Sequence, residues 1–268
     1  MKRYLITPRL ISAIKNYPTS LDKISKQVGF NIKNICYFNI SIRQDHLQKL
    51  NDFLKTNFQL EEIEFDYIKN LGLCAISPNP KQVKQTTDLA EFIGIMLGDG
   101  HLVKKQLDIS FDSRNKKYIE YVKKLAKKIF NIDLRLKLQK GRNTAHLYYY
   151  NKNLKEQLLN LGLKKGNKIK NQLGIPDWVK QNKEYAKACI RGLIDTDGCI
   201  YICKREKQKY VKFTNRNKKL LDDFAKIAKD LGYSFANANK ENKTLYRKAE
   251  VVRFINEIKP CKSIGTMG

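Results

Sequence analysis

The sequence predicts an α+β fold: a pseudo-twofold pair of like repeats, preceded by a small helical N-terminal domain. Three observations carry this expectation. A block is duplicated, SFDSRNKKYIEYVKKLAKKI (110–129) matching KFTNRNKKLLDDFAKIAKDL (212–231), with an identical Arg-Asn-Lys-Lys at 114–117 and 216–219. Each copy lies at a similar distance behind a Gly-containing acidic segment, FIGIMLGDG (92–100) and IRGLIDTDG (190–198). Short segments with strand alternation lie around them. The expected boundaries are 1–76 for the N-terminal domain, 77–85 for a linker, and 86–180 and 181–268 for the two repeats.

In the first domain, TSLDKISKQVGFNIKNI (19–35) puts Leu21, Ile24, Val28 and Ile35 at core spacing, with Gly29 at a break between two short helices. That pattern fits either a plain helical hairpin or a helix-turn-helix, in which the second helix would enter a major groove. HLQKLNDFLKT (46–56) reads as a further amphipathic helix, and Pro78 and Pro80 mark the linker.

In the repeats, LRLKLQK (134–140) alternates. Leu134, Leu136 and Leu138 are expected on a buried face, with Arg135, Lys137 and Gln139 on a solvent face. Leu107, Ile109 and Phe111 alternate likewise, as do Val211 and Phe213 with Lys212 and Thr214.

Charge is the dominant global feature. The 53 Lys and Arg residues against 26 Asp and Glu give a net charge of +27. The excess is uneven, with 11 basic and 7 acidic residues in 1–76 and the remaining +23 in 77–268. Such self-repulsion is explained by a polyanionic partner, and the basic strand faces point to nucleic acid. No apolar stretch reaches membrane-spanning length, and the N-terminus lacks the pattern of a signal peptide, so the chain is expected to be intracellular and not secreted. The six cysteines form no CxxC pair and stand apart from the three histidines, so a zinc site is not expected; they read as reduced, mostly buried thiols.

The acidic segments read as helices. Asp88 with Glu91 suggests a capping box on the first, and Asn182 a cap on the second. Gly100 and Gly198 stand where left-handed C-terminal caps are expected. Gly94 with Gly98, and Gly192 with Thr196, recur four apart, so each pair shares a helix face and lets the two helices approach closely. Asp99 and Asp197 then fall at helix C-termini, where the dipole disfavours negative charge, and near one another, where like charges repel. A divalent cation relieves both problems, with the free carbonyls of the last helical turn as further hard ligands.

The two nonapeptides resemble the paired signature of the LAGLIDADG homing endonuclease family, and with the duplicated blocks behind them the resemblance covers residues 86 to 264. It implies an αββαββα unit in each repeat and two β-saddles straddling duplex DNA. It implies metal ligation by Asp99 and Asp197 with the carbonyls of Gly98 and Thr196, the metal being Mg²⁺ or another divalent cation such as Mn²⁺. It further implies a basic residue near the end of each repeat that organises the attacking water or the transition state: Lys168 or Lys170 in the first and Lys262 or Lys259 in the second, with Lys168 and Lys262 preferred. Leu97 departs from the signature, where Asp195 keeps the acidic residue.

The expected activity is site-specific, metal-dependent hydrolysis of double-stranded DNA at a long target, by a monomer encoded freestanding or within an intron. Lys104, Arg135, Lys137, Arg142, Lys204, Arg205 and Lys212 are the candidate DNA contacts. An intron RNA maturase and a non-catalytic DNA-binding regulator are the alternatives. Each of these tolerates loss of the acidic positions, and both Asp99 and Asp197 are kept.

Overall fold

The computed structural model describes residues 3–38, 41–60, 62–63, 65–67, 74–76, 80–103, 106–204, 206–262 and 265–267. Two compact units divide at Asn79 and Pro80.

The N-terminal unit has helices α1 (Pro8–Lys15), α2 (Leu21–Val28), α3 (Ile32–Phe38) and α4 (Gln44–Leu54). To these the structure adds short strands: β1 (Arg3–Leu5), β2 (Ser41–Arg43) and β3 (Glu62–Ile63) pair in the order β2-β1-β3, and β4 (Phe65–Tyr67) pairs with β5 (Cys74–Ile76). The spacing read from the sequence matches the core, where Ile24, Val28 and Ile35 are buried together with Leu10, Ile14, Ile32 and Leu50. Between α2 and α3, Gly29 takes φ +75°, a left-handed turn that glycine enters without steric cost. Ser25 fastens this turn, its hydroxyl donating to the Leu21 carbonyl at 2.7 Å and accepting from the Ile32 N–H at 3.0 Å.

The second unit runs twice through one order. The first pass is α5 (Thr87–Gly98), β6 (Gly100–Val103), β7 (Gln106–Asp112), α6 (Lys116–Phe130), β8 (Arg135–Leu138), β9 (Thr144–Tyr150) and α7 (Lys152–Asn160). After the short α8 (Asp177–Lys180) comes the second: α9 (Lys183–Asp197), β10 (Gly198–Cys203), β11 (Gln208–Thr214), α10 (Lys218–Asp230), β12 (Ala236–Asn239), β13 (Asn242–Leu245) and α11 (Lys248–Ile258). This is the αββαββα order in duplicate. The sheets have matching strand orders, β6-β7-β9-β8 and β10-β11-β13-β12, antiparallel throughout, and β14 (Gly265–Met267) joins the second by pairing parallel to β10. One apolar core runs through both repeats, with α5 and α9 buried inside it.

Several expectations are corrected. Residues 80–85 are no free linker: the Lys81 N–H donates to the Phe130 carbonyl at 2.8 Å, Val83 packs on the core, and the Gln85 carbonyl accepts from the Tyr185 hydroxyl at 2.9 Å. Residues 77–79 lie outside the described residues. The cap of α5 is Thr86, whose hydroxyl accepts from the Leu89 N–H at 3.2 Å, and Glu91 points into the interior instead of back to a cap. Asn182 does cap α9, accepting from Glu184 and Tyr185. Gly100 and Gly198 are not left-handed caps, because each helix runs directly into a strand and no reversal is needed; Gly198 is extended at φ −89°, ψ 169°. Leu134 is buried, but Leu136 and Leu138 are 46% and 64% exposed. They lie opposite the buried Leu147 and Ala145, so they share the inner face, yet β8 is the edge strand and its leucines overhang the core. Among the described cysteines, only Cys36 and Cys189 are buried. Among the described residues no helix is long and apolar enough to cross a membrane.

Candidate active site

The site is built on the packing of α5 against α9. A side chain at Gly94 would meet the Cys189 carbonyl oxygen at 2.3 Å, one at Gly192 the Glu91 carbonyl oxygen at 2.4 Å, and one at Gly98 the Thr196 hydroxyl at 2.0 Å. Backbone therefore lies directly on backbone along this seam, as the four-residue recurrence of small side chains predicts. The approach brings the two helix C-termini together, and with them Asp99 and Asp197.

Both aspartates are half-buried, and each is the last residue of its acidic segment before a strand. Burial, and then the neighbouring charge of Asp197, push the Asp99 carboxyl up to about 6. Burial also raises Asp197, opposed by Lys168, by a hydrogen bond from Asn215 and by Lys262. The two lysines occupy equivalent stations. The Lys168 ammonium donates to the Gly98 carbonyl, and to that of Met96 at 3.4 Å. The Lys262 ammonium donates to the Thr196 carbonyl at 2.8 Å and that of Gly198 at 2.5 Å. Orphan carbonyls of both helix ends thus each receive a cation. Of the alternatives, Lys170 and Lys259 are exposed, and neither is hydrogen-bonded to these carbonyls. An open cleft of about 400 Å³ lies over the site, lined by Gly98, Lys168, Asp197, Asn215 and Asn217 among others.

Sequence reasoning misses Asn215. Its amide donates to Asp197 Oδ2 at 2.7 Å, from the residue directly after β11. A signal exists in the duplicated block, where Asn215 stands one residue before the shared Arg-Asn-Lys-Lys, but its counterpart is Ser113. The polar link between the helices is missed as well. Glu91, 3% exposed, accepts from the Arg191 guanidinium and from the Tyr121 hydroxyl at 2.6 Å, joining α5, α9 and α6.

The sheets present a second candidate surface. In the first, cross-strand register aligns Arg135, Tyr148, Asp108 and His101 in one row and Lys137, His146 and Ser110 in the next, all on the face opposite the buried leucines and isoleucines. Asp108 and His146 pair at 2.8 Å. In the second, Lys212 aligns with Cys199 and Thr244, and Tyr201 with Tyr210. Arg135, Lys137, Arg142 and Lys204 are exposed and Lys212 is half-buried. Lys104 and Arg205 lie outside the described residues.

The raised carboxyls carry a stability consequence. An aspartate near 3.8 when unfolded and near 6 when folded binds its proton more tightly in the folded state, so stability falls as pH rises from about 4 to about 6. Asp99→Asn is therefore expected to stabilise the protein by roughly 2–3 kcal/mol at pH 7 in chelator, and to flatten its stability–pH profile over that window. Urea unfolding at pH 4, 5, 6 and 7 checks this. A variant no more stable than the parent at pH 7 contradicts it.

Comparison with known proteins gives one family match and several distant structural likenesses. Residues 184–259 match the family model of the LAGLIDADG-like domain. No curated protein matches in sequence. Among solved structures, the homing endonuclease I-DmoI in complex with DNA and Mn matches at 18% identity over 66% of this chain and 98% of that chain, with a TM-score of 0.46. The N-terminal LAGLIDADG domain of DUF199/WhiA matches at 11% identity over 64% and 82%, with a TM-score of 0.45. The matched domain holds α9, Asp197 and the strands behind it, and residues 87–160 repeat its order of elements. Residues 184–259 are thus similar to the LAGLIDADG-like domain.

Proposed function

We propose that this protein is a divalent-metal-dependent endonuclease that cuts double-stranded DNA at a long specific site, acting as an intracellular monomer of the kind that supports intron homing. The observation that carries the reading is the pairing of Asp99 and Asp197 at two glycine-packed helix ends, each end also holding a lysine.

The donor set fits a hard cation. Asp99 and Asp197 offer carboxylate oxygens that repel one another without a counter-charge, and the Gly98 and Thr196 carbonyls offer two more oxygens. Among the described residues no group of three or more His, Cys, Asp or Glu gathers, so the remaining positions fall to water and substrate phosphate. A bound Mg²⁺ or Mn²⁺ supplies an activated water and stabilises the leaving oxygen. Lys168 and Lys262 place two ammonium groups where negative charge develops in phosphodiester hydrolysis, and burial lowers the Lys168 pKa from its ordinary value. Asn215 fixes the Asp197 carboxylate by its hydrogen bond.

Arg135, Lys137 and Lys212 supply phosphate and base contacts from the outward sheet faces, and Arg142 and Lys204 from the turns beside the strands. The Gly29 turn and the exposed Asn31, Lys33 and Asn34 support a second DNA contact through a helix-turn-helix in the N-terminal unit. On a bound duplex, Arg135→Ala with Lys137→Ala is expected to lower the slope of log affinity against log salt by about 1 for each phosphate left without its cation. Lys33→Ala with Asn34→Ala is expected to shorten the nuclease footprint on one flank while leaving the cut position unchanged. An unaltered salt slope removes the sheet face from the reading, and an unaltered footprint removes the N-terminal unit.

A further inference from the structure

Lys262 is tied to α9 at both ends. Its ammonium lies on the Thr196 and Gly198 carbonyls, and its backbone N–H donates to Asp195 Oδ1 at 3.0 Å. The Cys261 backbone adds a second bond to the same carboxylate. This stretch follows the left-handed end of α11 at Lys259 and leads to β14. Asp195 itself is only 6% exposed, and its Oδ2 makes no hydrogen bond among the described residues.

A carboxylate in that position is costly, since burial disfavours its charge and one oxygen has no donor among the described residues. Helix packing does not require it. Leu97 fills the equivalent place in α5 and is 1% exposed. The first repeat also anchors its lysine differently: the Asn217 amide reaches across from the second repeat to the Lys168 carbonyl at 3.3 Å and the Leu173 carbonyl at 2.6 Å. Two lysines at matching stations are thus held by unrelated devices. One of these is a buried acid whose hydrogen bonds, among the described residues, come from residues 261 and 262.

We propose that Asp195 is a positioning residue, clamping residues 261–262 so that the Lys262 ammonium reaches the C-terminal carbonyls of α9, while the Lys168 half of the site is independent of it. This rests on the nuclease reading for its purpose, but its test needs neither DNA nor metal. Asp195→Leu, which installs the residue found at 97, and Asp195→Asn are acylated at lysine with acetic anhydride, and each site is quantified by mass spectrometry. Hydrogen exchange of residues 260–262 is followed alongside. The expected result for Asp195→Leu is a Lys262 labelling rate raised about tenfold, on the scale of a missing charged hydrogen bond, with Lys168 unchanged and exchange at 260–262 accelerated. Asn, which keeps one acceptor, gives an intermediate value. Unchanged labelling and exchange in Asp195→Leu overturn the proposal, as does its failure to fold, since the acid then serves the fold itself. On an end-labelled cleavable duplex, Asp195→Leu is further expected to slow one strand's cut selectively; equal slowing of both strands contradicts the independence of the Lys168 half.

Discussion

Asp197→Asn and Asp99→Asn are each expected to reduce double-strand cleavage by roughly 10³-fold or more, the scale on which a preorganised charge-stabilising group acts. The substitution is nearly isosteric and removes the charge that a divalent cation requires, so affinity for duplex DNA should be retained while turnover disappears. Stability moves the other way. Burial raises both carboxyls, so neutralising either should make the protein more stable in chelator. Gain of stability together with loss of cleavage is a signature that a structural role for these residues cannot produce. Calorimetric titration with Mn²⁺ gives a third readout, in which each variant binds the cation more weakly than the parent. A variant that cuts at the parental rate removes its aspartate from the chemistry.

Gly192→Ala is expected to be severely damaging for so small a substitution. Its methyl carbon would lie 2.4 Å from the Glu91 carbonyl oxygen, 2.8 Å from the Ile95 nitrogen and 3.1 Å from the Gly94 carbonyl carbon. All three are backbone atoms of a buried helix, so no side-chain rotation relieves the overlap and α5 and α9 must separate. That movement opens the core and stretches the Glu91–Arg191 link, whose rupture leaves a buried carboxylate without its cation. A cost of about 3 kcal/mol or more follows, equivalent to a fall in Tm of about 10 °C, measurable by calorimetry. It also misaligns Asp99 and Asp197, so residual folded protein should cut poorly. A Tm within about 2 °C of the parent contradicts this account of the seam.

Much of this is legible from local pattern. Gly94, Gly98 and Gly192 announce a close helix approach because a four-residue recurrence fixes a shared face, and the duplicated Arg-Asn-Lys-Lys blocks place Asp99 and Asp197 at matching helix ends. The family resemblance prefers Lys168 and Lys262 over Lys170 and Lys259, and they are the lysines that reach the carbonyls. What escapes depends on partners distant in sequence. Glu91 reads as part of a local cap, but its acceptor role is fulfilled by Arg191, 100 residues away. Leu136 and Leu138 alternate as buried residues do, but alternation does not say that β8 is an edge strand beyond the reach of the helices. Asn215 stays hidden because its repeat counterpart is Ser113, so symmetry, the strongest guide elsewhere, fails there.

The proposed chemistry is metal-dependent cutting of duplex DNA by two aspartates at paired helix ends. It is tested most directly by incubating the full chain with a randomised duplex library in Mg²⁺ and sequencing the ends produced. The expected result is ends converging on one long site, produced with Mg²⁺ or Mn²⁺, abolished by chelator, and absent with Asp99→Asn or Asp197→Asn. Binding to the library with no cut in any member, under any of these metals, contradicts it.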